Sequence, residues 1–577
     1  MVPLDQLLNA QRRAWLICAV LALTVLMSWS SIHRLQELVE AEDADEAPDN
    51  QQSLFSLAEK NVLEHLPQRR AGLHRGSLPG EQNLVQGAPA DTVQPQGGAG
   101  AGGDGSRAAG GSAAGRGGVA QSAQQQSEEV LSTTGGGQCR VVRNMDYWGD
   151  ALVWGENNRM DTAGDCCKAC AEYKPKQEQE MLSCNIWVYC ENPQLCGGHH
   201  KECWLKHMAH PEASRPAHEG PNVGWTTGFM VSPEDAKQLP VDPSDDRRYH
   251  IVITAQGSAV HWQSRVAFYW YKKTKALCET QGSCQMGGFT RLLHSGQADE
   301  LMGEIPTVVV NPLPPEHPNH GYVVLNRPYA FLQWVSQAAI PEKYVLMSEP
   351  DHIWLKPMPN LMKGQRPAAF PFFYIEPWTK VNLPITARFL GPLSRMEAEQ
   401  IAPIGNAPTL MTLEDMKRVM PIWFNLSIAV HNDPVSNKEW GWVQEMYAFT
   451  LSCTKAGISK IDLHLYVSAQ PGRVLLMMGQ PPFDSKLDLY YILHYTYGND
   501  FNMDGAFTPG KIGEWHWDKR AYHALPPPRH MEEPPPTVKN ELVRHLVRSI
   551  NEATDKIPGW DEYAKTGHAA QLWDGVL

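Results

Sequence analysis

The sequence has no surplus of positive charge. Its 577 residues carry 50 Lys and Arg against 63 Asp and Glu, a formal net charge of −13. That balance excludes a nucleic-acid partner held mainly by phosphate contacts. It leaves a nucleotide-sugar pocket open, because a local site with a metal can bind phosphate on an acidic chain. No internal repeat is evident. Residues 66–137, including GGAGAGGDGSRAAGGSAAGRGG, lack the apolar side chains needed to offset the entropy of ordering. They are expected to be a disordered, Gly-rich spacer. Cys167 and Cys170 form a CxxC, but no second well-spaced pair follows. A zinc site therefore ranks below a disulfide framework.

What is present is unevenly spread. Of twelve cysteines, eight lie between Cys139 and Cys203: Cys139, Cys166, Cys167, Cys170, Cys184, Cys190, Cys196 and Cys203. This density implies an oxidising compartment, with the pairing open. Cys278 and Cys284 are close enough for a further bridge. Residues 14–32, AWLICAVLALTVLMSWSSI, carry no charge. About 19 helical residues span roughly 29 Å, close to a bilayer core. Arg12 and Arg13 precede this run and acidic residues follow from Glu37, so the rest of the chain is expected on the lumenal side. A cleaved signal peptide is the rival, but the run is long for one and no A-x-A site follows. The organisation expected is a cytosolic tail (1–13), a transmembrane signal anchor (14–32), a stem and linker (33–137), a disulfide-rich module (138–232) and a catalytic domain (245–560).

The last region reads as α/β. YHIVITA (249–255) is an expected buried strand, followed by a helix carrying Trp262, Val266, Tyr269 and Lys273 at helical spacing. Pro328 falls near the first turn of another helix, and EKYVLMSEPDHIWLKP reads as strand, polar turn and second strand. Alternating strands and helices argue for a sheet whose ligands bind beyond the carboxyl ends of its strands. Residues 523–537, rich in proline, read as an extended strap, and a helix is expected near Val538–Thr554.

Four segments could carry chemistry. Ser348-Glu349-Pro350-Asp351-His352 follows the apolar run Val345-Leu346-Met347. On an extended chain i and i+2 point the same way, so Glu349 and Asp351 would share one cation. Hard oxygens suit Mn²⁺ or Mg²⁺ carried with a diphosphate. His494 ends an apolar strand and would complete the metal shell; taken alone it reads as a buried, hydrogen-bonded histidine. Lys511 and Arg520 flank a Trp-rich loop and could neutralise a leaving diphosphate; the alternative is a solvated charged loop. Glu445 shares a helix face with Gly441, Gln444, Ala448 and Ser452, which on spacing alone reads as an exposed polar face. Asn425-Leu426-Ser427 is an N-glycosylation sequon, with Asn425 the acceptor. Phe370-Pro371-Phe372-Phe373-Tyr374 reads as core, although aromatic surfaces also suit extended proline-rich peptides.

Taken in order, FYWYKK, MGGFTRLLHSG, GYVVLNRPYAFLQW, YVLMSEPDHIWLKPMPNL, AAFPFFYIEP, PIGNAPTL, GWVQEMYAF, LHYTYG and KIGEWHWDKR make residues 248–560 resemble the plant and algal hydroxyproline O-arabinosyltransferases. The cysteine-rich segment, with CCKAC, CNIWVYC, CWLK and GWTTGFM, resembles a PAN/apple-type module, whose family binds protein or carbohydrate. The first resemblance implies a GT-A-type, Rossmann-like domain in the Golgi lumen, anchored as a single-pass type II protein. It implies UDP-β-L-arabinofuranose as donor, peptidyl 4-hydroxyproline of secreted and cell-wall glycoproteins as acceptor, Mn²⁺ (Mg²⁺ as alternative) as cofactor, and net retention. By position it implies Glu349, Asp351 and His494 as metal ligands. Asp351 and Glu445 would be catalytic, with Glu445 beside the anomeric carbon. Thr254, Arg265, Lys511 and Arg520 would contact the nucleotide sugar. The added module and spacer depart from the plain anchor-plus-catalytic plan. Two other readings stay open: a peptidyl serine galactosyltransferase of the same superfamily, and a non-catalytic matrix- or glycan-binding protein acting through the module.

Overall fold

The computed structural model describes residues 129–132, 138–175, 182–231, 244–458, 460–469, 487–496, 498–508 and 512–577. The expected anchor and most of the expected stem lie outside these residues. Among the described residues, no helix is long and apolar enough to cross a membrane.

The disulfide-rich module begins earlier than expected. Glu129–Ser132, assigned to the linker from sequence, is a strand that pairs antiparallel with Gln138–Arg143. A six-stranded sheet follows in the order 129–132, 138–143, 225–231, 186–190, 203–207, 150–153. One helix, Ala163–Ala171, starts at a capping box of Thr162 and Asp165. It is stapled to the rest of the module by Cys139–Cys167, Cys166–Cys203 and Cys170–Cys184, and Cys190–Cys196 closes a short loop. All eight candidate cysteines are thus paired, and Cys278–Cys284 forms the further bridge. Gly228 has to be glycine, because a Cβ there would sit 2.1 Å from the buried Trp187 ring. A core this small gains from cross-links that restrict the unfolded chain, each typically about 2–4 kcal/mol.

The large domain is built on a seven-stranded sheet. Its order is 307–309, 286–293, 249–255, 344–348, 404–412, 368–371, 462–463. All its strands run parallel except 404–412. The central strands are buried along their whole length, which is why they read as continuous apolar runs instead of alternating ones. Helix Ser258–Thr280 packs against the first two strands and against helix Glu541–Lys556; helices Asn326–Gln337 and Gln444–Lys455 both pack on helix Leu413–Asn432. The proline strap contains no helix, as expected, and Asn540 caps the helix after it. The domain runs past residue 560: the Trp573 backbone N–H donates to Glu304 (3.0 Å) and its ring packs on Phe268 and Tyr269.

After strand 249–255 the chain builds outward on one side, then returns to place 344–348 on the other. The carboxyl ends of these two neighbours therefore flank a topological switch point, where open α/β sheets leave a crevice.

The module docks on the large domain through a polar seam. His207 Nε2 meets Glu399 at 2.8 Å, both side chains buried, and Arg395 joins Glu399 (2.8 Å) to Asp150 of the module (2.5 Å). Arg215 donates to the Tyr490 hydroxyl at 3.2 Å. Burial pulls the His207 pKa down, but Glu399 and the Ser183 carbonyl hold it above the ordinary histidine value. Burial pushes Glu399 up, while His207 and Arg395 bring it below the usual carboxylate range.

A raised histidine stabilises fully below its unfolded pKa of about 6.5 and stops doing so as pH rises through the folded value. A depressed carboxylate stabilises above its unfolded pKa of about 4.3 and loses that as pH falls. The seam is therefore strongest between these limits. The wild-type melting temperature should fall more steeply from about pH 6 to about pH 8.5 than that of His207→Gln, as followed by scanning calorimetry. Identical slopes for the two proteins would remove the pair from the stability of the seam.

Candidate active site

Strand Tyr344–Ser348 delivers its carboxyl end to the switch point and the chain then turns. The His352 N–H donates to the Glu349 carbonyl at 3.2 Å, closing the turn before strand His352–Trp354. Glu349 and Asp351 thus sit in the polar turn expected between the two strands, although the extended i, i+2 geometry is not what aligns them. They converge all the same, because the turn folds both carboxylates toward a third segment. Strand Ile492–His494 pairs antiparallel with 352–354, with His352 opposite His494, and the Tyr495 N–H donates to the Asp351 carbonyl at 3.2 Å. This register brings His494 Nε2 to 3.1 Å from Glu349 and 3.3 Å from Asp351.

Three cationic groups balance the two carboxylates. Arg327, in the first turn of helix Asn326–Gln337, reaches Glu349 at 2.8 Å and Glu445 at 3.8 Å. Lys519, opening the short turn Lys519–Tyr522, pairs with Asp351. Burial would raise both carboxylates, yet Arg327 and His494 hold Glu349 below its usual range, and Lys519 and His494 do the same for Asp351. His494 responds in kind: burial lowers it, but the two carboxylates push it up to about 9.

Glu349, Asp351, His352 and His494 each offer a ligand atom within 4.8 Å of the others. Carboxylate oxygens with imidazole form a donor set that suits Mn²⁺, so the residues present fit a divalent cation. His352 Nδ1 is engaged by Ser348 Oγ (2.7 Å) and the Glu349 N–H (3.3 Å), which orients its ring.

Glu445 lies in the first turn of helix Gln444–Lys455 and is buried, not on an exposed polar face. Its pKa is pushed up to about 7 by burial, against the pull of Arg327 and with a contribution from Glu349. One of its oxygens, Oε1, is buried without a hydrogen-bond partner. Such an atom is costly unless a ligand or water meets it.

The remaining sequence candidates divide. Thr254 is buried one residue before the carboxyl end of the first strand. Arg265 is corrected: it is fully buried and forked onto Glu304 at 2.7–3.0 Å, with the Trp560 and Tyr563 rings beside it. That makes it a core ion pair. Arg520 closes back on Asp518, and its neighbour Lys519 is the cation that meets Asp351. Lys511 lies outside the described residues. Asn425 is exposed on helix Leu413–Asn432, while Ser427 of its sequon is buried. Arg327 and Lys519 were missed from sequence. The available signals were the basic residue beside the helix-opening proline for Arg327 and adjacency to Arg520 for Lys519.

Residues 249–463 match the model of the hydroxyproline O-arabinosyltransferase family N-terminal domain, and residues 491–561 match that of its C-terminal domain. The chain is 47% identical over 314 residues to hydroxyproline O-arabinosyltransferase 3 of Arabidopsis thaliana, covering 54% of this chain and 82% of that one. It is 44% identical over 328 residues to hydroxyproline O-arabinosyltransferase RDN1 of Medicago truncatula, covering 57% and 86%. Among solved structures, the apo form of mouse xyloside xylosyltransferase 1 covers 43% of this chain and 98% of that one, at 8% identity and a TM-score of 0.26. A likeness that low carries no argument about the fold, which rests on the sheet described above.

Replacing Asp351 by Asn keeps the shape and removes one charge from the cluster. The variant should lose about 10³-fold or more in turnover, roughly 4 kcal/mol of transition-state stabilisation. Mn²⁺ binding measured by electron paramagnetic resonance should weaken in parallel, with the circular dichroism spectrum preserved. Unchanged Mn²⁺ binding would remove Asp351 from the ligand set.

Proposed function

The chain belongs to the hydroxyproline O-arabinosyltransferase family, and on that premise we propose that it transfers L-arabinofuranose from UDP-β-L-arabinofuranose to the hydroxyl of peptidyl 4-hydroxyproline. The observation that carries this is the convergence of Glu349, Asp351 and His494 at the carboxyl end of a central strand. We read the sheet as a GT-A-type, Rossmann-like domain and the segment Glu129–Val231 as a PAN/apple-like module. We place the protein in the Golgi membrane as a single-pass type II protein held by residues 14–32, with both folded parts in the lumen.

In this reading Glu349, Asp351 and His494 hold Mn²⁺, with Mg²⁺ as the alternative, and the bound cation supplies charge neutralisation for the diphosphate. His494 must give up its proton to serve as a ligand. Lys519 adds a second positive charge at the same edge, suited to an oxygen of the departing UDP. Arg327 holds Glu349 and lies beside Glu445, so it fixes the distance between the metal-binding edge and the carboxylate. Glu445, with a buried and unmatched oxygen, faces the developing positive charge at the anomeric carbon. Retention follows if it forms a transient ester or shields one face while the acceptor enters on the side of the leaving group.

The full-length chain, incubated with Mn²⁺, a hydroxyproline peptide and a panel of UDP sugars, should add one pentose by mass, and only with UDP-arabinofuranose. A hexose on serine would assign the chain to the galactosyltransferase reading, and no transfer from any donor would favour a binding protein. Glu445→Gln should lower kcat by about 10²–10⁴ with a smaller effect on donor KM.

A further inference from the structure

The edge of the sheet that carries Glu349 also carries an aromatic surface. Strand 404–412 runs antiparallel to 344–348, with Thr409 opposite Met347, so its first residues extend past the end that delivers Glu349. Strand 368–371 lies on its far side, with Pro371 opposite Ile404, and leaves the sheet at that same edge. The next residues are Phe372, Phe373 and Tyr374. Phe372 is buried as its sequence suggests, but Phe373 and Tyr374 are only half-buried.

Helix 444–455 fastens this segment. The Tyr447 hydroxyl donates to the Tyr374 carbonyl at 3.1 Å and accepts from the Glu376 N–H at 3.1 Å. Its ring stacks on Trp440 with centroids 4.2 Å apart. Met446, the residue after Glu445, is half-buried, and its Sδ accepts from the Tyr374 hydroxyl at 3.9 Å. Phe373 meets Tyr374 edge-on, with centroids 5.0 Å apart. Gly405, at the start of strand 404–412, makes room for the Met446 methyl, since a Cβ there would sit 2.6 Å from it. The turn Gly441–Val443 runs directly into the helix. Trp442 therefore stands one turn before Glu445 and Met446, at positions that neighbour one another on a helix surface. Its large ring is 41% exposed.

We infer that Trp442, Met446, Tyr374 and Phe373 form the acceptor subsite, which takes the residues flanking the target hydroxyproline in an extended polyproline conformation. This rests on the transferase reading above. A peptide rich in proline and hydroxyproline has few backbone donors, no internal hydrogen bonds and three residues per turn. Such a peptide is recognised by its ring faces on an aromatic surface fixed in advance. None of the four side chains is charged, and the hydroxyl of Tyr447 and the thioether of Met446 hold the strip in place. The neighbouring surface at Glu349, Asp351, Arg327 and Lys519 is strongly charged, which suits a metal and a diphosphate. Glu445 stands where the two surfaces meet, as a group beside the reacting carbon requires.

The test separates peptide from nucleotide. A fluorescent peptide of alternating proline and hydroxyproline, and one of equal length with a single hydroxyproline among glycine and serine, are titrated into the full-length chain with Mn²⁺ and UDP, and anisotropy is read. Wild type should bind the first about tenfold more tightly. Trp442→Ala should lose about tenfold for the first peptide and much less for the second. Its UDP affinity, measured by calorimetry, should stay within about twofold, and Trp442→Phe should recover part of the loss. Equal losses for peptide and UDP would overturn the subsite, and so would no loss for the proline-rich peptide. If Trp442→Ala fails to fold, the wild-type comparison decides, since equal affinity for the two peptides would overturn the proposal by itself. A chain that prefers the proline-rich peptide through Trp442 but transfers no sugar would refute the transferase reading and leave the subsite standing. A chain that transfers arabinose with a peptide affinity indifferent to Trp442 would refute the subsite alone.

Discussion

Two carboxylates buried side by side cannot both stay ionised without positive charge between or around them. Much of the site follows from meeting that demand for Glu349 and Asp351. Arg327 arrives on a helix, Lys519 on a short turn and His494 on a strand, so three elements distant in sequence converge on one turn. Each brings a charge the pair requires. Two of the three cationic groups, Lys519 and Arg327, sit on side chains long enough to swing aside, while His494 is held by strand pairing. The cluster is therefore both self-consistent as it stands and suited to exchanging part of its counter-charge for a metal ion.

Much of this was legible in the sequence, for identifiable reasons. The buried strands showed as apolar runs because a mostly parallel sheet is covered on both faces. The cysteines announced their framework by density, though not their pairing, which depends on where the 163–171 helix crosses the sheet. Glu349 and Asp351 stood out as paired carboxylates after an apolar run, whereas His494 taken alone read as a buried, hydrogen-bonded histidine and joined the set only through the family resemblance. For the first two the turn itself was readable, but the convergence was ascribed to i, i+2 alternation on an extended chain, whereas the turn and the 492–494 strand bring the groups together. Arg265 entered by position from the resemblance, and position does not reveal whether an arginine faces a pocket or a buried partner; Glu304, 39 residues away, decides that. Arg520 pairs with Asp518, and its neighbour Lys519 pairs with Asp351. Glu445 read as part of an exposed polar face because Gln444 and Ser452 share it, but those residues and Ala448 are themselves buried.

The disulfide-rich module is more than a spacer in structural terms. Three disulfides tie its helix to its sheet, and the seam at His207, Glu399 and Arg395 joins it to the large domain. Desolvation offsets much of the attraction of a buried ion pair across such a seam, and removing one partner leaves the other buried and uncompensated. The same segment that supplies Tyr490 to the seam continues into Ile492–His494. The module thus braces the strand that brings in the histidine of the carboxylate cluster.

That bracing matters because His494 is delivered by a short three-stranded sheet, not by the main one. Three residues of antiparallel pairing with 352–354, and two of parallel pairing with 468–469, hold the strand in place. So few ladder bonds fix a register only weakly unless side chains add to them. Here the addition comes from both ends. Tyr490 is held by the module before the strand, and the Tyr495 N–H is tied to the Asp351 carbonyl after it. A slip of one residue would turn His494 away and present Leu493 or Tyr495 to two carboxylates, leaving their repulsion uncompensated. The charge demand of the pair and the register of the strand therefore enforce each other, which is how a site assembled from distant segments keeps one geometry.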